Sequence, residues 1–153
     1  MNMKHIFQET GVIILAGGRG SRLNCKDYPK VLCLLAGKPM LTYILDTLER
    51  IGLRQEQICI VVGHRGEEVK KVIGGNYLYA WQERLGGTAH AASAGERILP
   101  SEFKNLLVLN GDDSAFYTSK TLKIFVSQHI QNKNDISMLT CEVDDPAGMG
   151  RVV

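Results

Sequence analysis

Gly11-Val-Ile-Ile-Leu-Ala-Gly-Gly-Arg-Gly-Ser-Arg22 is the stretch on which the fold turns. Its first half, Gly11 to Ala16, is short, apolar and β-branched, with no polar residue on alternate positions. A strand reads this way when both of its faces are covered, as in a parallel sheet packed between helices. The second half is rich in glycine, which lets the backbone turn tightly and bring N–H groups close to an anion that side chains would block. The segment therefore predicts a buried strand running into a loop able to hold phosphate. A bare glycine cluster is equally well a tight strand-to-helix turn flanked by solvated arginines, so the loop needs its context.

That context is a regular alternation. Met40, Leu41, Ile44, Leu45, Leu48 and Ile51 recur at three- and four-residue steps, predicting an amphipathic helix over Lys38–Arg50 that is stopped by Gly52. Gln57–Val62 follows as an apolar strand, Glu67–Ile73 as a short helix ending at Gly74-Gly75, and Tyr77–Trp81 as a third strand. Thr88–Leu99 is alanine-rich and closed by Pro100, Leu106–Leu109 is a strand entering Asn110-Gly-Asp-Asp113, and Ser119–Gln131 is again helical. A last strand is expected at Ile136–Val143, before the turn at Asp144-Asp-Pro146.

Strands alternating with helix-length connections predict an α/β, Rossmann-like doubly wound fold with a mostly parallel sheet. Residues 1–153 form one expected unit. Ligands of such folds bind beyond the carboxyl ends of the strands. The rule selects Ala16-Gly17-Gly18, Gly63-His64, Gln82 and Asn110-Gly-Asp112.

Composition narrows the function classes. Hydrophobic residues make up 44% and charged residues 22%, ordinary for a folded chain, and a net charge of +2 with no basic run argues against nucleic-acid binding. The apolar runs are strand-sized, so no membrane span is expected, and residues 1–10 lack a secretory pattern, which makes the cytoplasm the default location. Cys25, Cys33, Cys59 and Cys141 are widely spaced and form no C-x-x-C pair, the pattern of reduced structural cysteines and not of a zinc site.

The glycine loop matches neither common phosphate motif. The third glycine of G-x-G-x-x-G would fall on Leu23, and no G-K-[ST] follows for a Walker A loop. The longer string Leu15-Ala-Gly-Gly-Arg-Gly-Ser-Arg-Leu23, followed in order by Pro29-Lys30-Val-Leu and Ala36-Gly-Lys-Pro-Met40, is specific. It resembles the sugar-1-phosphate nucleotidyltransferase family, particularly the pyrophosphorylase domain of bacterial N-acetylglucosamine-1-phosphate uridylyltransferases. The resemblance extends through Gly63-His64, Gln82, Gly87-Thr-Ala-His-Ala91, Gly111-Asp112 and Asp144-Asp-Pro-Ala-Gly-Met-Gly-Arg151.

The resemblance implies attack of a sugar-1-phosphate on the α-phosphorus of a nucleoside triphosphate, with pyrophosphate leaving. Such chemistry depends on charge neutralisation more than on covalent catalysis. Arg22 and Lys30 match the family's catalytic pair, which holds the triphosphate and offsets charge on the leaving group. Leu15, Ala16, Gly17, Gly18, Gly20 and Ser21 match the nucleotide loop, and Gln82, Gly87 and Thr88 the base-recognition segment, which implies uracil or thymine over adenine.

Asp112 matches a Mg²⁺ ligand, since magnesium uses few protein groups and keeps waters. Gly150 matches a glycine lining the sugar pocket. Asp113, next along an extended chain, should point away from Asp112, and neither His64 nor His90 is expected to be catalytic. The stretch between Arg22 and Lys30 is about one residue longer than in these relatives, and Gly86-Gly87 stands where one glycine is usual.

The expected partners are a nucleoside triphosphate, UTP first, and a sugar-1-phosphate, N-acetylglucosamine-1-phosphate first; oligomerisation is left open. Glucose-1-phosphate uridylyl- or thymidylyltransfer, or nucleotide binding without catalysis, are the alternatives. In the family the chain continues beyond the position of Val153 to further sugar and metal contacts, so the sequence is expected to be an incomplete domain, binding UTP weakly without turnover.

Overall fold

The computed structural model describes residues 3–18, 28–63, 65–84, 86–113, 117–145 and 147. Its elements are α1 (Met3–Gln8), β1 (Thr10–Leu15), a small hairpin of β2 (Leu34–Leu35) and β3 (Lys38–Pro39), α2 (Met40–Arg50), β4 (Ile58–Val62), α3 (Gly66–Ile73), β5 (Leu78–Trp81), α4 (Gly87–Glu96), β6 (Asn105–Asn110) and α5 (Ser119–Gln131).

The main sheet has the order β5-β4-β1-β6, and all three strand pairings are parallel. Leu15 lies opposite Val61 on one side and Asn110 on the other, so the carboxyl ends of the three strands finish level. The chain winds outward from β1 through β4 to β5, then returns to place β6 on the opposite side of β1. That reversal opens the crevice where ligands of doubly wound sheets bind.

Both faces of the sheet are covered, which is why β1 and β4 carry no polar alternation. Val12, Ile14, Ile58, Ile60 and Val62 face one core with α2, α3 and α5, whereas Ile13, Cys59 and Val61 face a second core with Ala91 of α4 and Leu99. α4 approaches closely because position 95 is glycine: a Cβ there would come within 2.7 Å of Ile13 Cγ2 and 2.9 Å of Val61 Cγ2.

On α2, Leu41, Ile44, Leu45 and Leu48 are buried, as the helical spacing requires. Gly52 stops the helix as expected, at φ +95°. Its N–H donates to Glu49 O at 2.9 Å, and Leu53 N–H donates to Leu48 O at 3.1 Å. This double closure satisfies two carbonyls that the helix would otherwise leave open. The helix begins at Met40, later than Lys38, because Lys38 and Pro39 pair with Leu35 and Leu34 in the hairpin.

Other features also depart from the sequence reading. Helix α1 was not anticipated; Gln57, expected to start a strand, instead ends a short 3₁₀ turn and donates from Nε2 to Phe7 O (2.8 Å) and Thr10 O (3.0 Å), fastening α1 to the sheet. The strand expected at Ile136–Val143 does not form: the segment is irregular, and Ile136 is 81% exposed. Its alternation of apolar and polar residues suits a strand, but strand propensity is realised only against a paired edge. Residues 135–139 instead border a cavity of about 690 Å³ beside β6 and α5, with Leu106, Val108 and Phe125 on its walls.

Candidate functional site

The expected site residues within the described range gather at the carboxyl end of the sheet. Backbone bonds fix the strand ends there: Ala16 N–H donates to Val61 O at 2.8 Å, Gln82 N–H to Val62 O at 2.8 Å, and Gly111 N–H to Leu15 O at 2.9 Å. The loops after β1, β4, β5 and β6 thus emerge side by side.

Gly17 stands in tight approach to its neighbours. A Cβ on it would lie 3.1 Å from Gln82 Oε1 and 3.2 Å from Gly63 N, while one on Gly63 would sit 2.7 Å from Gly17 O. Gly18 differs: among the described residues, no non-neighbouring atom lies within 4 Å of its Cβ position. The first glycine of the loop is a packing glycine, and the second makes no such contact with the described residues.

Lys30 and Asp112, 82 positions apart, meet at 2.5 Å between Nζ and Oδ2. Lys30 opens a 3₁₀ turn whose next residues, Val31 and Leu32, are buried and anchor it. Asp112 follows Gly111, whose missing side chain leaves space beside Leu15 O and Val31 Cγ1. Both partners are about one-third exposed, at 31% and 33%. A pair this wet is worth no more than about 1 kcal/mol to folding, so stability does not account for placing opposite charges at the ligand end of the sheet.

Asp113 does point elsewhere, accepting a bond from Asn110 Nδ2 at 3.3 Å. The nearby Tyr117 hydroxyl has its pKa raised, first by burial and then by the charges of Asp113 and Asp112.

Gln82, directly after β5, is buried. Its Nε2 lies 3.3 Å from Gly87 O and 3.4 Å from His90 Nδ1. Gly87 and Thr88 open α4, whose N-cap residue, Gly86, has no side chain with which to cap it. Arg22, Gly20 and Ser21 in the loop, Gly150 near the sugar motif and His64 lie outside the described residues. The meeting of Lys30 with Asp112, and of His90 with Gln82, was not foreseen: the first pair is 82 positions apart and the second is brought together by the turn into α4.

A family model described as nucleotidyl transferase matches residues 11–153. The chain belongs to the nucleotidyl transferase family. It is 41% identical over 141 residues to the bifunctional protein GlmU of Thermoanaerobacter pseudethanolicus, covering 92% of this chain and 30% of that relative. The chain thus spans about a third of the length of such relatives.

Among solved structures, Rv0371c of Mycobacterium tuberculosis superposes with a TM-score of 0.65 at 19% identity, covering 77% of this chain and 59% of that one. The same protein in complex with manganese gives a TM-score of 0.61 at 18% identity, covering 77% and 57%. A putative glucose-1-phosphate thymidylyltransferase from Bacillus anthracis gives 0.59 at 27% identity, covering 82% and 51%. These neighbours share the mostly parallel sheet with flanking helices.

Proposed function

We propose that this chain supplies the nucleotide-binding part of an enzyme that moves a nucleotidyl group from UTP to N-acetylglucosamine-1-phosphate, releasing pyrophosphate and forming a nucleotide sugar. The observation that carries the reading is the Lys30–Asp112 pair at the end of β6, beside the strand that leads into the glycine loop.

The proposed division of labour follows from charge. Gly17 and Gly18 let the triphosphate approach the backbone after β1, and Gly20, Ser21 and Arg22 follow them in the motif. Lys30 offers a compact cation to phosphate oxygens, and Arg22 a fork suited to bidentate contact. Gln82 reads the pyrimidine, with Gly87 and Thr88 beside it, and Gly150 lines the sugar pocket.

Asp112 fits a Mg²⁺ ion that arrives with the nucleotide. Among the described residues no group of three or more His, Cys, Asp or Glu side chains could cage a metal, and magnesium commonly takes one or two carboxylates together with substrate phosphates and water. When bound, the ion would neutralise charge on the triphosphate and on departing pyrophosphate. The structural neighbour Rv0371c is known in complex with manganese, in keeping with a divalent ion.

Asp112 also holds the Lys30 ammonium at the mouth of the crevice before nucleotide arrives. The 27% identity to a thymidylyltransferase keeps thymidylyl transfer as the second reading.

Calorimetric titration of UTP into the chain, with and without Mg²⁺, tests the proposal. Binding should be weak and at least tenfold stronger with Mg²⁺, and Asp112→Asn should remove most of that difference. Binding indifferent to both the metal and the substitution would refute the assignment.

A further inference from the structure

The contacts around Gln82 carry more than base contact in general. Amide nitrogen and oxygen are told apart by their partners, and one partner here is unambiguous. Gly87 O, 3.3 Å away, can only accept, so the nitrogen end of the Gln82 amide faces it. The second amide proton then falls to His90 Nδ1 at 3.4 Å, which accepts it when the imidazole is neutral and carries its own proton on Nε2.

The imidazole is exposed and packs over Gly86. A Cβ at Gly86 would come within 2.8 Å of His90 Cγ and 2.9 Å of His90 Cβ. Glycine at 86 therefore admits the ring, which gives a physical reason for the doubled Gly86-Gly87. With its nitrogen committed on both protons, Gln82 presents its oxygen at the other end, against Gly17, where the glycine loop begins.

We propose that His90 is a positioning residue that locks the Gln82 amide with its oxygen toward the nucleotide crevice, making the site select bases that carry a ring N–H donor. The inference rests on the pyrimidine reading given above. Uracil and thymine have a protonated N3 that can donate to the Gln82 oxygen, whereas cytosine has a bare N3 that meets it lone pair to lone pair. A buried polar group left facing the wrong partner is a strong source of discrimination. Without His90 the amide can rotate at less cost, and the distinction between the two classes of base weakens. His90 touches the reader of the base and not the reacting atoms.

Two measurements on the 153-residue chain test this. Long-range ¹⁵N–¹H spectra of the ligand-free protein, with His90 assigned by its loss in His90→Asn, should show Nδ1 unprotonated and Nε2 protonated. An Nδ1-protonated tautomer overturns the proposal.

Titrations of UTP and CTP in the presence of Mg²⁺ should show a preference for UTP. His90→Leu should cut that preference about five- to tenfold, the worth of one hydrogen bond. His90→Asn, whose side-chain oxygen can stand where Nδ1 stands, should restore most of it. If His90→Leu keeps the preference, or His90→Asn falls with it at unchanged thermal stability, the brace is wrong. Gln82→Ala separates the two levels of inference. If it leaves UTP affinity intact, or the wild type binds no UTP, the pyrimidine reading itself fails. If it weakens UTP while His90→Leu does nothing, only the brace fails.

Discussion

Lys30 and Cys59 show how differently a single residue can be used. Lys30 is partly exposed and spends its charge on Asp112, an interaction that adds little to stability in water. Lys30→Ala should therefore shift the melting temperature by no more than a degree or two, while nucleotide binding suffers.

Cys59 is the reverse case. Burial pushes its thiol up to about 11 from 9.0, so it stays neutral and unreactive at neutral pH. Mass-spectrometric mapping after iodoacetamide should find exposed Cys141 alkylated under native conditions and Cys59 only on unfolding. The raised value also sets a pH dependence. Because the folded state holds the proton more tightly, the Cys59 contribution is fully present below pH 9 and is lost as pH rises toward 11. Denaturant midpoints should fall over that window, and less so in Cys59→Ala measured against its own neutral-pH value.

The elements owe their placement to glycine as much as to apolar spacing. α4 lies against the sheet only because position 95 has no side chain. Gly95→Val would gain a few tenths of a kcal/mol in helix propensity but must push α4 off Ile13 and Val61. Overpacking costs about 1–3 kcal/mol, so urea unfolding should register a net loss of roughly 2 kcal/mol. α5 is opened by Thr118, whose Oγ1 accepts from Thr121 N–H at 3.1 Å, and Thr118→Ala should cost about 1 kcal/mol in the same experiment.

Elements of this kind were legible in advance where the signal is local. The apolar runs of β1 and β4, the helical spacing of α2 and the stop at Gly52 all follow from residues within one turn or one strand. The segment 136–143 was misread because its alternation describes a strand without saying whether an edge is there to receive it. α1 was missed because Ile6 and Phe7 are too few to show a period, and its attachment depends on Gln57, 50 residues from Phe7.

At the scale of the molecule, the sheet order β5-β4-β1-β6 brings the glycine loop, Lys30, Gln82 and Asp112 to one end. Alternation of strands and helices made that end predictable, and the motif string pointed to the family. The pairings inside the site were not legible, because Lys30 reaches Asp112 only through the parallel match of β1 with β6, and His90 reaches Gln82 only through the turn into α4. The described part of the structure thus brings polar groups from several strand ends to one edge of the sheet.

The most direct test of that account is calorimetric titration of Mg²⁺–UTP into the wild-type chain and Lys30→Ala, alongside their melting temperatures. The account predicts that Lys30→Ala binds UTP at least tenfold more weakly with a melting temperature within a degree or two of wild type. Equal affinity in the two proteins, or an affinity lost only in step with the fold, would contradict it.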